Sequence, residues 1–244
     1  YYTFGKLLKT IPSLKKKNIL WLYLFLFASL TDIAFILEQQ NELRFFSKPL
    51  IIFGLGMYFY QITKPISGTL LAKSIMAALI FSWLGDILLL WEHLFIYGIG
   101  AFLLAQVCYI IGFKVAQKAP ESLQNVNFVK TFFINLPLYF MAAFVFYMVN
   151  PNLGPMRIPV IIYTLVIVSM VTTARDRYGK CNSSSFWQVF LGAFLFFISD
   201  GIIAMDKFHQ PIQDAGIIIM GTYAIGQLMI VMGIRSHILQ PMEK

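Results

Sequence analysis

Three aspartates interrupt long apolar stretches of the sequence and are the residues best suited to chemistry. Asp32, Asp86 and Asp200 each fall within a run of apolar residues that is long enough to cross a membrane. Placing a charged carboxyl group in hydrocarbon costs roughly 2.5–3.5 kcal/mol, so such a group usually faces a cavity or a partner. Two carboxyls that meet can divide acid–base work, because one donates a proton while the other stabilises a cation or activates water.

A structural role is the alternative for these acids. They could form an ion pair with Lys48 or accept hydrogen bonds from serines close to them in sequence. For Asp32 both interpretations stay open, since Glu38 and Gln39 follow closely and its helix could end early. The serines in question are Ser29, Ser82 and Ser199.

Other polar side chains recur at helical spacing within the apolar runs. Residues three or four apart share a helix face. Gln227 lies deep in an apolar run and needs hydrogen-bond partners, which predicts a polar cluster. Tyr109 and Tyr163 could equally serve packing or lie at the membrane interface. The pairs that share a face are Ser82 with Asp86, Gln106 with Tyr109, and Tyr223 with Gln227.

Lys48 and Pro49 open the second apolar run. Proline suits the first turn of a helix, where its missing N–H is not needed. A helix N-terminus beside a Lys ammonium would form an anion site. Alternatively, the Lys48 side chain reaches along the helix to the lipid headgroups.

The composition indicates an all-α integral membrane protein. Hydrophobic residues make up 59% of the 244 and charged residues 12%, whereas soluble domains are about 45–50% apolar even with Gly included. Apolar runs of about 20 residues predict eight membrane helices, and Gly85, Gly192, Gly221 and Gly226 are expected to allow close packing between them. The predicted helices are 18–37, 46–62, 72–91, 95–115, 131–149, 157–174, 186–205 and 214–234.

The distribution of Lys and Arg orients these helices. Of the 19 Lys and Arg residues, all but four fall on the side that holds both termini, so the positive-inside rule predicts cytoplasmic termini. The three aspartates then lie about five residues before the outer ends of their helices, roughly 7–8 Å below the membrane edge. The exceptions among the cations are Arg44, Lys48, Arg157 and Lys207.

The domain organisation is simple. A basic cytoplasmic segment (1–17) precedes one transmembrane domain (18–234), and a short cytoplasmic tail (235–244) follows. The cations lie in short loops, so nucleic acid is not an expected partner despite a net charge of +8. The three His residues have no pair at metal-ligand spacing. No metal or other cofactor is expected, and no serine-hydrolase or phosphate-loop motif is found.

Several motifs, taken in order, resemble the YhhN-like lysoplasmalogenase family over about residues 45–233. Gln106 stands where many relatives have a histidine, which argues against a scheme that needs an imidazole there. The pattern at Tyr163-Thr164 through Met170 also looks like that of the family's sixth helix. The motifs are Lys48-Pro49-Leu50, Phe81-Ser82-x-x-Gly85-Asp86, Gly192-Ala193-x-x-Phe196-x-x-Ser199-Asp200 and Thr222-Tyr223-x-x-x-Gln227.

The resemblance implies cleavage of the vinyl ether bond of lysoplasmalogens, which releases a fatty aldehyde and glycerophosphoethanolamine or glycerophosphocholine. We expect Asp86 and Asp200 to form the acid/base pair, with the identity of the acid left open. Lys48 is expected to face the lipid phosphate. The other substrate-binding or orienting candidates are Ser82, Gln106, Tyr109, Tyr163, Ser199, Tyr223 and Gln227.

Location and rival functions complete the expectations. The partners are the lysoplasmalogen substrate and membrane lipids, and a homodimer is compatible with the sequence. A bacterial inner membrane is favoured, with the endoplasmic reticulum membrane as the eukaryotic equivalent. Acids on several helices are also typical of proton- or cation-coupled transporters. A hydrolase of another lipid, such as an ester or amide, is a third interpretation.

Overall fold

The computed structural model describes residues 15–117 and 128–239. Within these ranges the chain is helical and contains no strand, as predicted. Most helix ends lie within three residues of the predicted ones. The predicted N-terminal segment falls largely outside the described residues, and residues 235–239 of the predicted C-terminal tail instead continue the last long helix. The long helices are α1 (Lys15–Leu37), α2 (Arg44–Thr63), α3 (Leu70–Leu88), α4 (Phe95–Val115), α5 (Phe128–Val149), α6 (Arg157–Arg175), α7 (Ser183–Phe208) and α8 (Ala215–Leu239).

Seven of these helices are long and apolar enough to cross a membrane, so the chain is a multi-pass membrane protein. The helix outside this set is α2, which carries Arg44, Ser47 and Lys48 in its first two turns. These polar side chains lower the hydropathy of α2. The eighth crossing and the cytoplasmic position of both termini therefore stay predictions.

The chain forms two compact units, with the division inside α4. The N-terminal unit comprises Tyr1–Cys108 and the C-terminal unit comprises Tyr109–Lys244. In the N-terminal unit, α1 approaches α2 closely at Gly54, where a Cβ atom would lie 3.1 Å from the backbone N of Phe25. A Cβ at Gly85 would lie 2.7 Å from the ring of Phe102, so glycine lets α3 and α4 approach each other.

The closest helix pair in the C-terminal unit is α7 with α8. A Cβ at Gly192 would lie 2.6 Å from the carbonyl O of Gly226, and a Cβ at Gly226 would lie 2.9 Å from the carbonyl O of Gly192. Two glycines therefore face each other across the pair, as small residues do in membrane helix packing. The prediction that Gly221 also allows close helix packing is wrong, because no heavy atom lies within 4 Å of the place where its Cβ would be.

A buried arginine holds the loop between α6 and α7 in the C-terminal unit. Arg177 is fully buried, and its guanidinium donates hydrogen bonds to Ser185 Oγ at 2.7 Å and to the carbonyl oxygens of Ala116 and Ser185 at 3.4 Å each. Ala116 follows the last residue of α4, so the cation also meets the negative end of that helix dipole. Burial lowers the pKa of the Arg177 guanidinium, which still stays charged at neutral pH.

Candidate active site

Asp86 is buried on α3 and faces a lysine from α2. The carboxyl is 2% exposed, and its Oδ1 lies 3.9 Å from the Nζ atom of Lys48. One residue further along α2, the carbonyl O of Pro49 accepts a hydrogen bond of 2.9 Å from the indole N–H of Trp83 on α3. An ion pair and a hydrogen bond thus fix α2 against α3 beside the Asp86 carboxyl.

The predicted position of Lys48 at the first turn of its helix is wrong. Helix α2 begins at Arg44, so Pro49 lies in the second turn and Lys48 is no longer at the helix N-terminus. The earlier start follows from Arg44 and Ser47, which both bind Asp32 and so hold the preceding turn in helical form. The Lys48 side chain is buried, and its ammonium lies 3.9 Å from the Asp86 carboxyl.

Asp32 on α1 forms a second buried ion pair in the N-terminal unit. Its carboxyl is fully buried and accepts hydrogen bonds from Ser47 Oγ at 2.7 Å and from the Arg44 guanidinium at 3.2 and 3.4 Å. Ser29 is a predicted partner for such an acid. Its hydroxyl instead donates to the carbonyl O of Phe25 in its own helix. Pairing with Arg44 is the contact that the sequence spacing did not reveal.

Asp200 on α7, in the C-terminal unit, has a neutral partner. The phenol O–H of Tyr163 on α6 donates a hydrogen bond to its Oδ2 atom. Tyr163 is a predicted site residue, but its spacing gave no sign that it would meet Asp200, because the two residues lie on different helices. Ser199, the neighbour of Asp200, donates at 3.1 Å to the carbonyl O of Ile219 on α8.

The helix ends place the three aspartates differently from the prediction. Asp32 lies five residues before the end of α1, as expected, but Asp86 lies two residues before the end of α3 and Asp200 eight before the end of α7. Helix α3 ends early because the chain turns at Leu88, whose carbonyl accepts from the N–H of Trp91. Distance from the helix ends therefore does not assign the three carboxyls to one layer.

The predicted need of Gln227 for a partner is confirmed. Both Gln227 and Tyr109 are fully buried, and the Tyr109 O–H donates to the Gln227 Oε1 at 2.5 Å. Tyr223, one turn before Gln227, packs edge-to-face against Phe196 with ring centroids 5.5 Å apart. These contacts join α8 to the C-terminal end of α4 and to α7 within the C-terminal unit.

Ser82 and Gln106 complete the predicted set in the N-terminal unit, and both are fully buried. Ser82 lies one turn before Asp86 on α3. Gln106 follows Phe102 by one turn on α4, and the Phe102 ring lies against Gly85, so the α4 face that carries Gln106 is turned toward α3. Among residues 15–117 and 128–239, no three His, Cys, Asp or Glu side chains form a group suited to a metal ion.

Long apolar helices with buried acids, and with polar partners on neighbouring helices, define a polytopic membrane protein with a polar interior. The sequence pattern of the YhhN family matches residues 43–234, and the chain belongs to that family.

Relatives with known names cover most of the chain. It is 28% identical over 225 residues to lysoplasmalogenase TMEM86B of Mus musculus, which covers 89% of this chain and 90% of that protein. It is 29% identical over 172 residues to lysoplasmalogenase TMEM86B of Homo sapiens, covering 70% and 67% of the two chains. A lysoplasmalogenase of Mycobacterium bovis is 29% identical over 165 residues, covering 65% and 59%. No solved structure gives a significant match.

Proposed function

We propose that this protein is a lysoplasmalogenase, a membrane hydrolase that cleaves the vinyl ether bond of lysoplasmalogens. The observation that carries the proposal is the relationship to proteins named lysoplasmalogenase over as much as 94% of the chain. The carboxyls of Asp86, which is buried, and of Asp200, which is partly buried, support it, because this hydrolysis is helped by a proton donor and a carboxylate.

The reaction divides into steps that suit two carboxyls. A carboxylic acid protonates the outer carbon of the C=C–O group, which leaves a cation shared by the inner carbon and the ether oxygen. Water activated by a carboxylate adds to that carbon and gives a hemiacetal, which then collapses to the fatty aldehyde and the glycerol hydroxyl. Paired carboxyls divide the work in the same way at glycosidic bonds.

The contacts of the two acids favour different roles within the proposal. The Lys48 ammonium at 3.9 Å stabilises negative charge on Asp86, which suits the carboxylate that stabilises the cation and activates water. Asp200 accepts a hydrogen bond at Oδ2 from a neutral phenol, and a carboxylic acid can accept such a bond at one oxygen and carry its proton on the other. We therefore propose Asp200 as the proton donor.

The remaining site residues are proposed to orient these groups or the glycerol part of the lipid. Tyr163 is proposed to hold Asp200, and Lys48 to hold Asp86 in place of binding the lipid phosphate. We propose that the catalytic site opens to the lipid bilayer, in which the lysoplasmalogen is dissolved. The proposed host membrane is a bacterial inner membrane or the endoplasmic reticulum membrane. The orienting set is Ser82, Gln106, Tyr109, Ser199, Tyr223 and Gln227.

The test is product analysis with purified protein. We expect a fatty aldehyde from a lysoplasmalogen and no fatty acid from the matching 1-acyl lysophospholipid, with the same result in the presence of a chelator. Fatty acid from the acyl lipid would instead support a hydrolase of esters. No product from either lipid, with protein that remains folded, would contradict the proposal.

A coupled transporter is the second candidate, and the buried ion pairs favour it. Charged groups within membrane helices are also typical of ion pathways, and the N-terminal unit pairs Asp32 with Arg44 and Asp86 with Lys48. A transporter would move a proton or cation across sealed proteoliposomes and would release no aldehyde in detergent. Aldehyde release without ion flux would exclude this candidate.

A further inference from the structure

The ion pair between Asp32 and Arg44 lies outside the proposed chemistry but touches the same turn of α2. Asp32 reaches across from α1 and binds two residues of that turn, Arg44 at 3.2 and 3.4 Å and Ser47 at 2.7 Å. The carboxyl is fully buried and the Arg44 side chain is 19% exposed. Three hydrogen bonds that one carboxyl accepts therefore fix the start of α2 on α1.

The fixed turn leads directly into the contact with Asp86. Lys48 follows Ser47 in sequence, and its ammonium lies 3.9 Å from the Asp86 carboxyl. Pro49 is held from the other side by the Trp83 indole. Lys48 thus lies between two anchors, one on α1 and the other on α3.

Charge balance gives Asp32 a second effect. Arg44 and Lys48 are four residues apart, so two cations share one face of α2, where like charges repel. The Asp32 carboxylate compensates the charge of Arg44. Without that compensation, Arg44 would repel the Lys48 ammonium and would itself be attracted toward Asp86 across a poorly screened interior.

We propose that Asp32 is a positioning residue for the active site, which fixes the first turn of α2 and neutralises Arg44 so that Lys48 remains beside Asp86. The inference rests on the proposed function, since Asp86 is a catalytic residue only within it. The rival interpretation is that Asp32 stabilises the fold and has no influence on the contact between Lys48 and Asp86.

Kinetics of folded, purified variants separate the two interpretations. We expect Asp32→Asn to lower kcat for aldehyde release by roughly 10–100-fold, as small displacements of catalytic groups do, with a much smaller change in KM. Asp32→Glu keeps the charge and should restore part of kcat. Adding Arg44→Gln to Asp32→Asn removes the uncompensated cation and should also restore part of kcat. The matched control is Glu42→Gln, which changes an exposed carboxyl of the preceding loop.

A second readout does not depend on catalysis. The rate at which an amine-reactive reagent modifies Lys48, mapped by mass spectrometry, should increase several-fold in Asp32→Asn because the ammonium loses its fixed position. Exposed Lys73 serves as the internal reference. If wild-type protein releases no aldehyde, the proposed function fails while the modification rates still decide the role of Asp32.

Ser47→Ala is the milder variant, to be used if Asp32→Asn does not fold. It removes the 2.7 Å hydrogen bond alone and should change kcat and the Lys48 modification rate in the same directions by smaller factors. The inference is overturned if folded Asp32→Asn has the wild-type kcat and the wild-type rate of Lys48 modification, even if its unfolding temperature falls. The same criterion applies to Ser47→Ala where that variant replaces Asp32→Asn.

Discussion

The two proposed catalytic acids have partners of different kinds. In the N-terminal unit, Asp86 faces the ammonium of Lys48. In the C-terminal unit, Asp200 accepts a hydrogen bond from the phenol of Tyr163. An ammonium stabilises the charged form of a carboxyl strongly, whereas a phenol contributes a directional hydrogen bond and no net charge. One residue type can therefore supply two roles, since the partner decides which form of the carboxyl is stabilised.

Two buried cations, one in each unit, are held in different ways. Lys48 in the N-terminal unit faces the Asp86 carboxyl, whereas the described contacts of Arg177 in the C-terminal unit are to a hydroxyl and two backbone carbonyls. Breaking a buried ion pair leaves a charge with no counterion. Removing a cation from neutral oxygens leaves acceptors without a donor. Breaking the ion pair is therefore expected to lower the free energy of unfolding more than removing the cation that binds neutral oxygens.

Lys48→Met should have the largest effect on stability. It leaves the buried Asp86 carboxylate without its ammonium, which is expected to lower the free energy of unfolding by about 3–5 kcal/mol. Unfolding midpoints in detergent measure the loss, with Lys73→Met at an exposed position as the control. Equal midpoints for the two variants would mean that the ion pair contributes nothing.

Arg177→Met should have the next largest effect, about 1.5–3 kcal/mol, mainly from the 2.7 Å bond to Ser185 Oγ. Arg177→Lys should recover part of the loss, because an ammonium can satisfy some of the same oxygens. The unfolding midpoint measures both. A larger loss than that of Lys48→Met would reverse the comparison between the units.

Tyr163→Phe removes the hydrogen bond to Asp200 and should act on catalysis more than on stability. A bond worth about 1–2 kcal/mol in the transition state corresponds to a roughly 5–30-fold lower kcat. The measurement is the rate of aldehyde release at saturating lysoplasmalogen, with the exposed Tyr147→Phe as the matched control. An unchanged kcat would show that the hydrogen bond from Tyr163 does not contribute to catalysis by Asp200.

Tyr109→Phe should have the smallest effect. It deletes the hydrogen bond to Gln227, and hydrogen bonds between membrane helices average about 0.6 kcal/mol with a maximum near 1.7 kcal/mol. We expect a small decrease in the unfolding midpoint. A loss as large as that of Lys48→Met would show that this pair is a major support of the C-terminal unit.

Much of the fold could be predicted because hydrophobicity and length determine membrane helices directly. Runs of about 20 apolar residues gave the approximate bounds of the helices, and α4 begins and ends at the predicted residues. The exception in composition is α2, where Arg44, Ser47 and Lys48 lie inside the helix. These side chains are accommodated by carboxyls from α1 and α3. The hydropathy of a single segment carries no information about such partners on other helices.

The partners within the site were harder to predict, since they join residues far apart in sequence. The spacing of Tyr223 and Gln227 put them on one face, but it did not reveal that Tyr109 would bind Gln227. Similarly, Asp32 and Arg44 lie on successive helices whose loop gives no sign of the pairing. Helical periodicity reports which face a side chain occupies, whereas partners on other helices depend on packing.

Aldehyde release from a lysoplasmalogen by purified Asp86→Asn and Asp200→Asn tests the central claim most directly. Asparagine keeps the size of the side chain but can neither donate the carboxyl proton nor carry its charge. The exposed Asp214→Asn is the control for the same chemical change. We predict that both site variants, folded and purified, lose aldehyde release while the control retains it. Activity within a few-fold of wild type in both site variants would contradict catalysis by this pair of aspartates.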